Sequence, residues 1–267
     1  MRASCLLTKT STPKLIKQTY NFLYLKINYE CMNIVLDVGN TYIKAAAFEG
    51  EQLLWANIFA DAEAIFIKVK EKQPQHVFIS SVRSENEFYG LKEHTNVLYL
   101  TAERKLPIEI AYKTPNSLGS DRIAAAVGAT VLFPQQNTLV FDIGTCLTHG
   151  IIDAQHTYYG GSISPGVQMR LKSLAHFTQK LPLLEFPEIK IEITGNSTTE
   201  SIYSGVLNGI QFEMEGFIAF YQNKYQSLNV LLTGGSTPLF EKRLKEYIFV
   251  VPELNLIGLN RILNYNV

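Results

Sequence analysis

Short apolar runs alternate with turns along the chain from Asn33 onward, and one such unit occurs twice. The first copy runs from Asn33 to Phe48. An apolar stretch stops at Asp37, passes Gly39, Asn40 and Thr41, and resumes through Ile43 and Lys44 into three alanines. The second copy runs from Thr138 to Ile152, stopping at Asp142, passing Gly144 and Thr145, and resuming through Cys146 and Thr148. Each reads as strand, tight turn, strand, with the polar groups carried by the turn.

A third strand is expected over 53–59, then a helix over 62–72. Ile65 and Val69 suit one face of that helix, and Lys68, Lys70 and Glu71 suit the other. Pro74 ends it, and buried strands follow over 77–80 and 97–100. A helix over 121–133 carries Ala124, Ala125, Ala126, Gly128 and Ala129, small enough for another element to approach closely. Pro134 stops it, and Gln135 to Asn137 read as a hinge into a second half. That half repeats the three-strand opening through Tyr158 and Ser162. The stretch with Pro165, Pro182 and Pro187 is expected to be a loop. After it come a long helix over 199–225, a buried strand over 230–233 leading into Gly234, Gly235 and Ser236, and a closing helix and strand. Strands alternating with helices imply mixed sheets with helices packed against them. The expected domains are 32–134 and 135–267, with the last helix packing back on the first.

A length of 267 residues allows one large or two modest domains with real cores. Lys plus Arg and Asp plus Glu number 24 each, so nothing in the charge balance points to a nucleic-acid partner. Cys5, Cys31 and Cys146 lack metal-ligand spacing and leave an odd count, which fits a reducing, cytoplasmic setting. Cys146 reads as a small packing residue. No run reaches the length of a membrane-spanning helix, and no membrane partner is expected. Residues 1–31 have neither the apolar region nor the cleavage site of a signal peptide. The strand pattern begins at Met32, so Met32 is the expected initiator and 1–31 an upstream or disordered extension. The chain has no P-loop, no G-x-G-x-x-G, no H-E-x-x-H and no paired C-x-x-C.

The repeated turn has residue types that suit phosphate chemistry. Gly39 and Gly144 let the backbone come close to a ligand. Turn N–H groups and the hydroxyls of Thr41 and Thr145 can meet phosphate oxygens. Asp37 and Asp142, at strand ends, can hold a cation that offsets phosphate charge. One copy alone favours a plain hairpin; two copies, each after a buried strand, favour a nucleotide clamp between related domains. Gly119-Ser120-Asp121-Arg122 reads two ways. Ser120 or Asp121 caps a helix with Arg122 in solvent, or Asp121 accepts a hydroxyl proton while Arg122 binds an anion. Lys44 suits a phosphate or an exposed strand face, Tyr112 packs on a sheet or meets a ligand, and His149 has no assigned role.

The paired Asp-x-Gly-Asn/Thr turns resemble the phosphate motifs of the acetate and sugar kinase, Hsp70 and actin superfamily. Three further stretches, in order, resemble type III pantothenate kinase: Gly119 to Arg122, Gly160 to Gly166, and Gly195 to Thr198 followed by Ser204 and Gly205. The resemblance implies an α/β fold of two related actin-like (ribonuclease H-like) domains, with mixed sheets flanked by helices and an ATP cleft between them. It implies ATP-dependent phosphorylation of pantothenate to 4'-phosphopantothenate, the first step of coenzyme A biosynthesis. Asp121 would be catalytic. Tyr112, Gly119, Ser120, Asp121 and Arg122 would bind pantothenate, with Thr198 reaching it from the neighbouring subunit of a homodimer. Asp37, Val38, Gly39, Asn40, Thr41, Tyr42, Ile43, Lys44 and Thr145 would hold ATP with its Mg²⁺. Asp142 would be the ligand of a monovalent cation, K⁺ or NH₄⁺. Gly150 stands where many relatives have an acidic residue, which bears on metal stoichiometry. Two rivals remain: a regulator that binds nucleotide without catalysis, and a kinase for another small hydroxylated acid. A binding module has no need of a carboxylate at Asp121, whereas a kinase does.

Overall fold

The computed structural model describes residues 32–39, 42–81, 83, 85–186, 191–244 and 248–267. The expectations for 1–31, Asn40, Thr41 and Pro187 lie outside them. The first half opens with β1 (Met32–Val38), β2 (Ile43–Glu49) and β3 (Gln52–Phe59), then α1 (Ala62–Lys72), β4 (His76–Ser81) and β5 (Asn96–Tyr99). Asp61 caps α1, its carboxylate accepting from the Ala64 N–H. β6 (Glu109–Ile110) and α2 (Ser120–Leu132) follow. The second half opens with β7 (Thr138–Ile143), β8 (Cys146–Ile152) and β9 (Thr157–Pro165). It continues with α3 (Val167–Phe177), α4 (Thr198–Tyr203), α5 (Gly209–Lys224), β10 (Asn229–Thr233), β11 (Ile248–Val250) and α6 (Leu254–Asn266).

The two sheets have the same order. The first reads β3-β2-β1-β4-β5, and the second reads β9-β8-β7-β10-β11 with β6 added beside β9. In each, the first two pairings are antiparallel and the last two parallel. That is two related ribonuclease H-like units in one chain, the actin-like α/β architecture that the sequence resemblance implies.

Two expectations need correction. The stretch after Pro165 is not all loop, because α3 begins directly after Gly166. Val167 and Leu171, one turn apart on its inner face, are buried in the outer core of the second sheet. The long helix expected over 199–225 is two helices joined by a π-helical stretch, Ser204–Asn208.

The core lies in three layers. α1 covers the outer face of the first sheet, and α3 to α5 cover the outer face of the second. Between the sheets lies a third core, where Val35, Ala46 and Phe78 meet Val140, Ile152 and Leu231 around α2 and α6. α6 packs along α2 and also touches β1. The alanines of α2 permit that approach, and at the crossing Gly128 and Gly258 leave no room for a Cβ.

Candidate active site

Side-chain parity decides where the polar groups go. Successive residues of a strand face opposite sides. Val35 and Val140 belong to the middle core, so Asp37 and Asp142, two positions on, face the same inner layer. Lys44, two positions before Ala46 in β2, faces it as well. Val38 and Ile43 are buried in the outer core, so only their backbones can serve a ligand in the cleft. The first turn is held by the Gly39 N–H donating to Tyr42 O at 3.1 Å. Arg83 reinforces it, its Nε donating to Gly39 O at 2.7 Å while Nη1 pairs with Glu87 at 3.2 Å.

The start of α2 enters between the two aspartates. Ser80 Oγ, at the end of β4, donates to Ser120 Oγ at 2.8 Å and fixes that position. The N-cap is Gly119, without a side-chain bond, so neither Ser120 nor Asp121 caps the helix. Asp121 is exposed at the opening of the layer, with Oδ1 accepting from the Arg122 N–H at 2.8 Å. Arg122 is buried, at 8% exposure, and does not face solvent. Its guanidinium carbon lies 5.6 Å from the ring centre of Tyr112 and 5.9 Å from that of Tyr158. Its Nε and Nη2 have no hydrogen-bond partner. A buried guanidinium with unsatisfied donors is built to receive an acceptor, since leaving such groups unmet costs about 1–3 kcal/mol each.

Three carboxylates, Asp37, Asp121 and Asp142, thus share one region with two cations, Lys44 and the Arg122 behind Asp121. Desolvation raises the Asp37 pKa, while Lys44 and the Asn255 amide pull it down and Asp121 pushes it up. Desolvation raises Asp142 as well, to about 6; Lys44 and Asn255 oppose this, and Asp121 and Asp37 add to it. Asn255 Nδ2 donates to Asp142 Oδ2 at 3.4 Å, and its own Oδ1 has no partner. This excess of negative charge fits a cation. Among the described residues no three His, Cys, Asp or Glu side chains gather closely enough to hold a metal alone. The donor set therefore fits an ion that takes its other ligands from phosphates, carbonyls and water, as Mg²⁺ does beside a nucleotide.

A cleft of about 900 Å³ runs past Gly39, Tyr42 and Lys44, then Gly144 and Thr145, to Gly235 and Ser236. It joins both turns to the loop after β10. α3, read from sequence as loop, supplies a wall through Lys172, His176 and Phe177. Those α3 residues, Asn255, Arg83 and Tyr158 escape sequence reading. The heptad-like spacing of Val167, Leu171 and Leu174 was an available signal for α3; nothing in sequence marks the other three. Thr198, the first residue of α4, lies in a separate hollow with Asn196, Ser197 and Ser201. Within one chain the fold does not bring it to Asp121 or Arg122. His149 is buried on the outer face, its Nδ1 2.7 Å from Ser162 Oγ and its ring 4.0 Å from that of Phe217. Desolvation, with Arg122, lowers its pKa to about 4, so it is neutral near pH 7.

Residues 33–219 match the sequence family of type III pantothenate kinase. A Cytophaga hutchinsonii protein of that name is 61% identical over 236 residues, covering 88% of this chain and all of the relative. One from Flavobacterium johnsoniae is 39% identical, covering 88% of this chain and 99% of the relative. Among solved structures, a Campylobacter jejuni Baf family protein superposes with a TM-score of 0.60 at 20% identity, over 87% of this chain and 98% of that one, a likeness of fold. No described helix is long and apolar enough to cross a membrane. On the family match and on these relatives, similar along nearly their whole lengths, the chain belongs to the type III pantothenate kinase family.

Proposed function

We propose that the chain transfers the γ-phosphoryl group of ATP to the primary hydroxyl of pantothenate, giving 4'-phosphopantothenate at the entry to coenzyme A synthesis in the cytoplasm. The observation that carries this is the convergence of both Asp-Gly turns on an exposed Asp121 beside a buried Arg122 with free donors. The turn glycines and Thr145, with Lys44, bind phosphates along the cleft, and Asn40 and Thr41 belong to the first turn. Asp121 orients the attacking hydroxyl and takes its proton. A loose phosphoryl-transfer transition state asks more for orientation than for early proton removal, so an ordinary carboxylate suffices. Arg122, flanked by Tyr112, binds the substrate carboxylate, and Gly119 leaves the space that the Asp121 carboxylate occupies. When bound, Mg²⁺ and a monovalent cation offset phosphate charge, with Asp37 and Asp142 as the protein ligands at hand.

Thr198 completes the site across a homodimer. Its distance from Arg122 in the single chain supports this reading, since a substrate contact by Thr198 then has to come from the partner's Thr198. Mixing Asp121→Asn with Thr198→Arg protein should restore part of the lost activity. A mixture that exchanges subunits and stays inactive removes the shared site. For the reaction itself, protein with ATP, Mg²⁺, K⁺ and pantothenate should yield phosphopantothenate by mass spectrometry. Nucleotide binding without product would make the chain a regulator; product only with another hydroxy acid would change the substrate.

A further inference from the structure

Directly behind Asp121 is a small cavity, about 10 Å³, between α2, β8 and β9. Arg122 and Tyr158 both line it, and three of their buried polar atoms have no partner: Arg122 Nε, Arg122 Nη2 and the Tyr158 hydroxyl. Tyr158 is 2% exposed. Burial pushes its phenol up to about 12, against the opposing pull of Arg122, so it keeps its proton. The space is on the order of a single water. It is therefore no ligand pocket, and the three atoms can be met by one another, by the neighbouring Asp121, Asp142 or Thr148, or through one small bridge. The hydroxyl oxygen is the sole acceptor among the three.

Gly150 makes this arrangement possible. A Cβ at that position would stand 2.7 Å from Tyr158 Cε2 and 2.9 Å from its Oη. Any side chain there would crowd the phenol, and an acidic one would evict it. Tyr158 also pairs in register with Ile152 at an irregularity in the β8–β9 ladder, which fixes its backbone against the inner core.

We propose that Tyr158, seated in the space Gly150 leaves, is the positioning residue for Arg122, its hydroxyl oxygen accepting from one of the two unmet guanidinium donors so that the other is held for the substrate's carboxylate. A carboxylate is recognised well by a guanidinium fork whose plane is fixed. The ring centres of Tyr112 and Tyr158 lie 5.6 Å and 5.9 Å from the guanidinium carbon, and Tyr158 adds a hydroxyl. The proposal rests on the reading that Arg122 binds the carboxylate of pantothenate.

The test compares pantothenate with its neutral analogue, in which the carboxylate is replaced by a hydroxymethyl group. Tyr158→Phe keeps the ring and removes only the hydroxyl; Gly150→Ala keeps Tyr158 but crowds it. In both, KM for pantothenate should rise about tenfold, the scale of a hydrogen bond to a charged group, with kcat changing much less. KM for the neutral analogue should stay at its wild-type value. Melting temperatures report whether each variant folds, and if Gly150→Ala does not, Tyr158→Phe decides alone. A wild-type KM for pantothenate in Tyr158→Phe overturns the proposal, and so does an equal loss with both substrates. A wild-type enzyme that treats acid and analogue alike would instead sink the carboxylate role of Arg122.

Discussion

The two halves place the same turn in the same sheet position, yet they treat its aspartate differently. In the first half Asp37 lies directly across the ladder from Lys44. In the second, Asp142 lies across from Thr148. Directly opposed residues share a face and interact, so the first copy brings its own countercharge while the second brings a hydroxyl. Desolvation raises the pKa of both groups, that of Asp142 to about 6, and Lys44 is the largest opposing influence on each. The two turns match in geometry and differ in this one cross-strand residue. Under the proposed function, the first turn carries its own countercharge and the second is the one open to a bound cation.

The largest effect should come from the group that stands between the copies and belongs to neither. Asp121→Asn should lower turnover by at least about a hundredfold, the range for loss of a positioned general base, while ATP affinity changes little. Near-wild-type turnover would mean that the halves suffice without it.

Comparing the halves presumes that they are held in a fixed relation, and the α2–α6 crossing does this. At Gly258 an added Cβ would run into the backbone of Ala124 and Gly128. Backbone cannot give way as a flexible side chain does. The clash should therefore outweigh the roughly 1 kcal/mol that Gly→Ala gains in helix propensity. Gly258→Ala should destabilise by about 2 kcal/mol in urea unfolding. Gly216→Ala, on α5 with open space around it, should instead stabilise by about 0.5–1 kcal/mol. If both shift the midpoint alike, propensity alone rules and the crossing is not tight.

Much of this arrangement was legible in the chain. Alternation in β1 and β7 marks which residues face inward, and it puts Asp37 and Asp142 on one side without any structure. α1 runs over the range its spacing predicts, Ala62–Lys72. α3 was hidden by its flanks: Pro165 and Pro182 suggest a loop, although Val167 and Leu171 keep helical spacing and are buried. The burial of Arg122 was not legible at all. It depends on Tyr112 and Tyr158, brought from distant positions by the second sheet's edge. Tyr158 in turn depends on Gly150, whose missing side chain is a fact about space and not about motif.

The comparison sharpens if the second copy is given what the first has. Thr148→Lys would set an ammonium opposite Asp142, as Lys44 is set opposite Asp37. Wild-type activity should fall roughly tenfold when K⁺ is replaced by Na⁺, equivalent to ~1.4 kcal/mol at the transition state. In Thr148→Lys that ratio should shrink toward one, whatever the absolute rate. A wild type indifferent to K⁺, NH₄⁺ and Na⁺ would contradict the cation role. A variant with the full ratio would show that Thr148 does not set it.

The smallest effect is on stability, and its sign follows from the direction of the shift. Asp142 has a folded pKa of about 6 against an ordinary 3.8. The folded state therefore holds this proton more tightly than the unfolded chain does. Its charged form is a penalty on folding that is absent below pH 3.8, grows as pH rises, and is complete above about 6. The full shift would be at most ~3 kcal/mol. Asp142 is only half-buried, so solvent screening should leave about 1 kcal/mol. In buffer without ATP, Mg²⁺ or K⁺, Asp142→Asn should thus stabilise the protein at pH 7.5, and the gain should vanish near pH 4. Asp37→Asn, which strips Lys44 of its directly opposed partner, should gain less. Urea midpoints for both variants at the two pH values decide this. A larger gain at Asp37 than at Asp142 would reverse the electrostatic difference between the two turns, and with it the reason for placing the cation in the second.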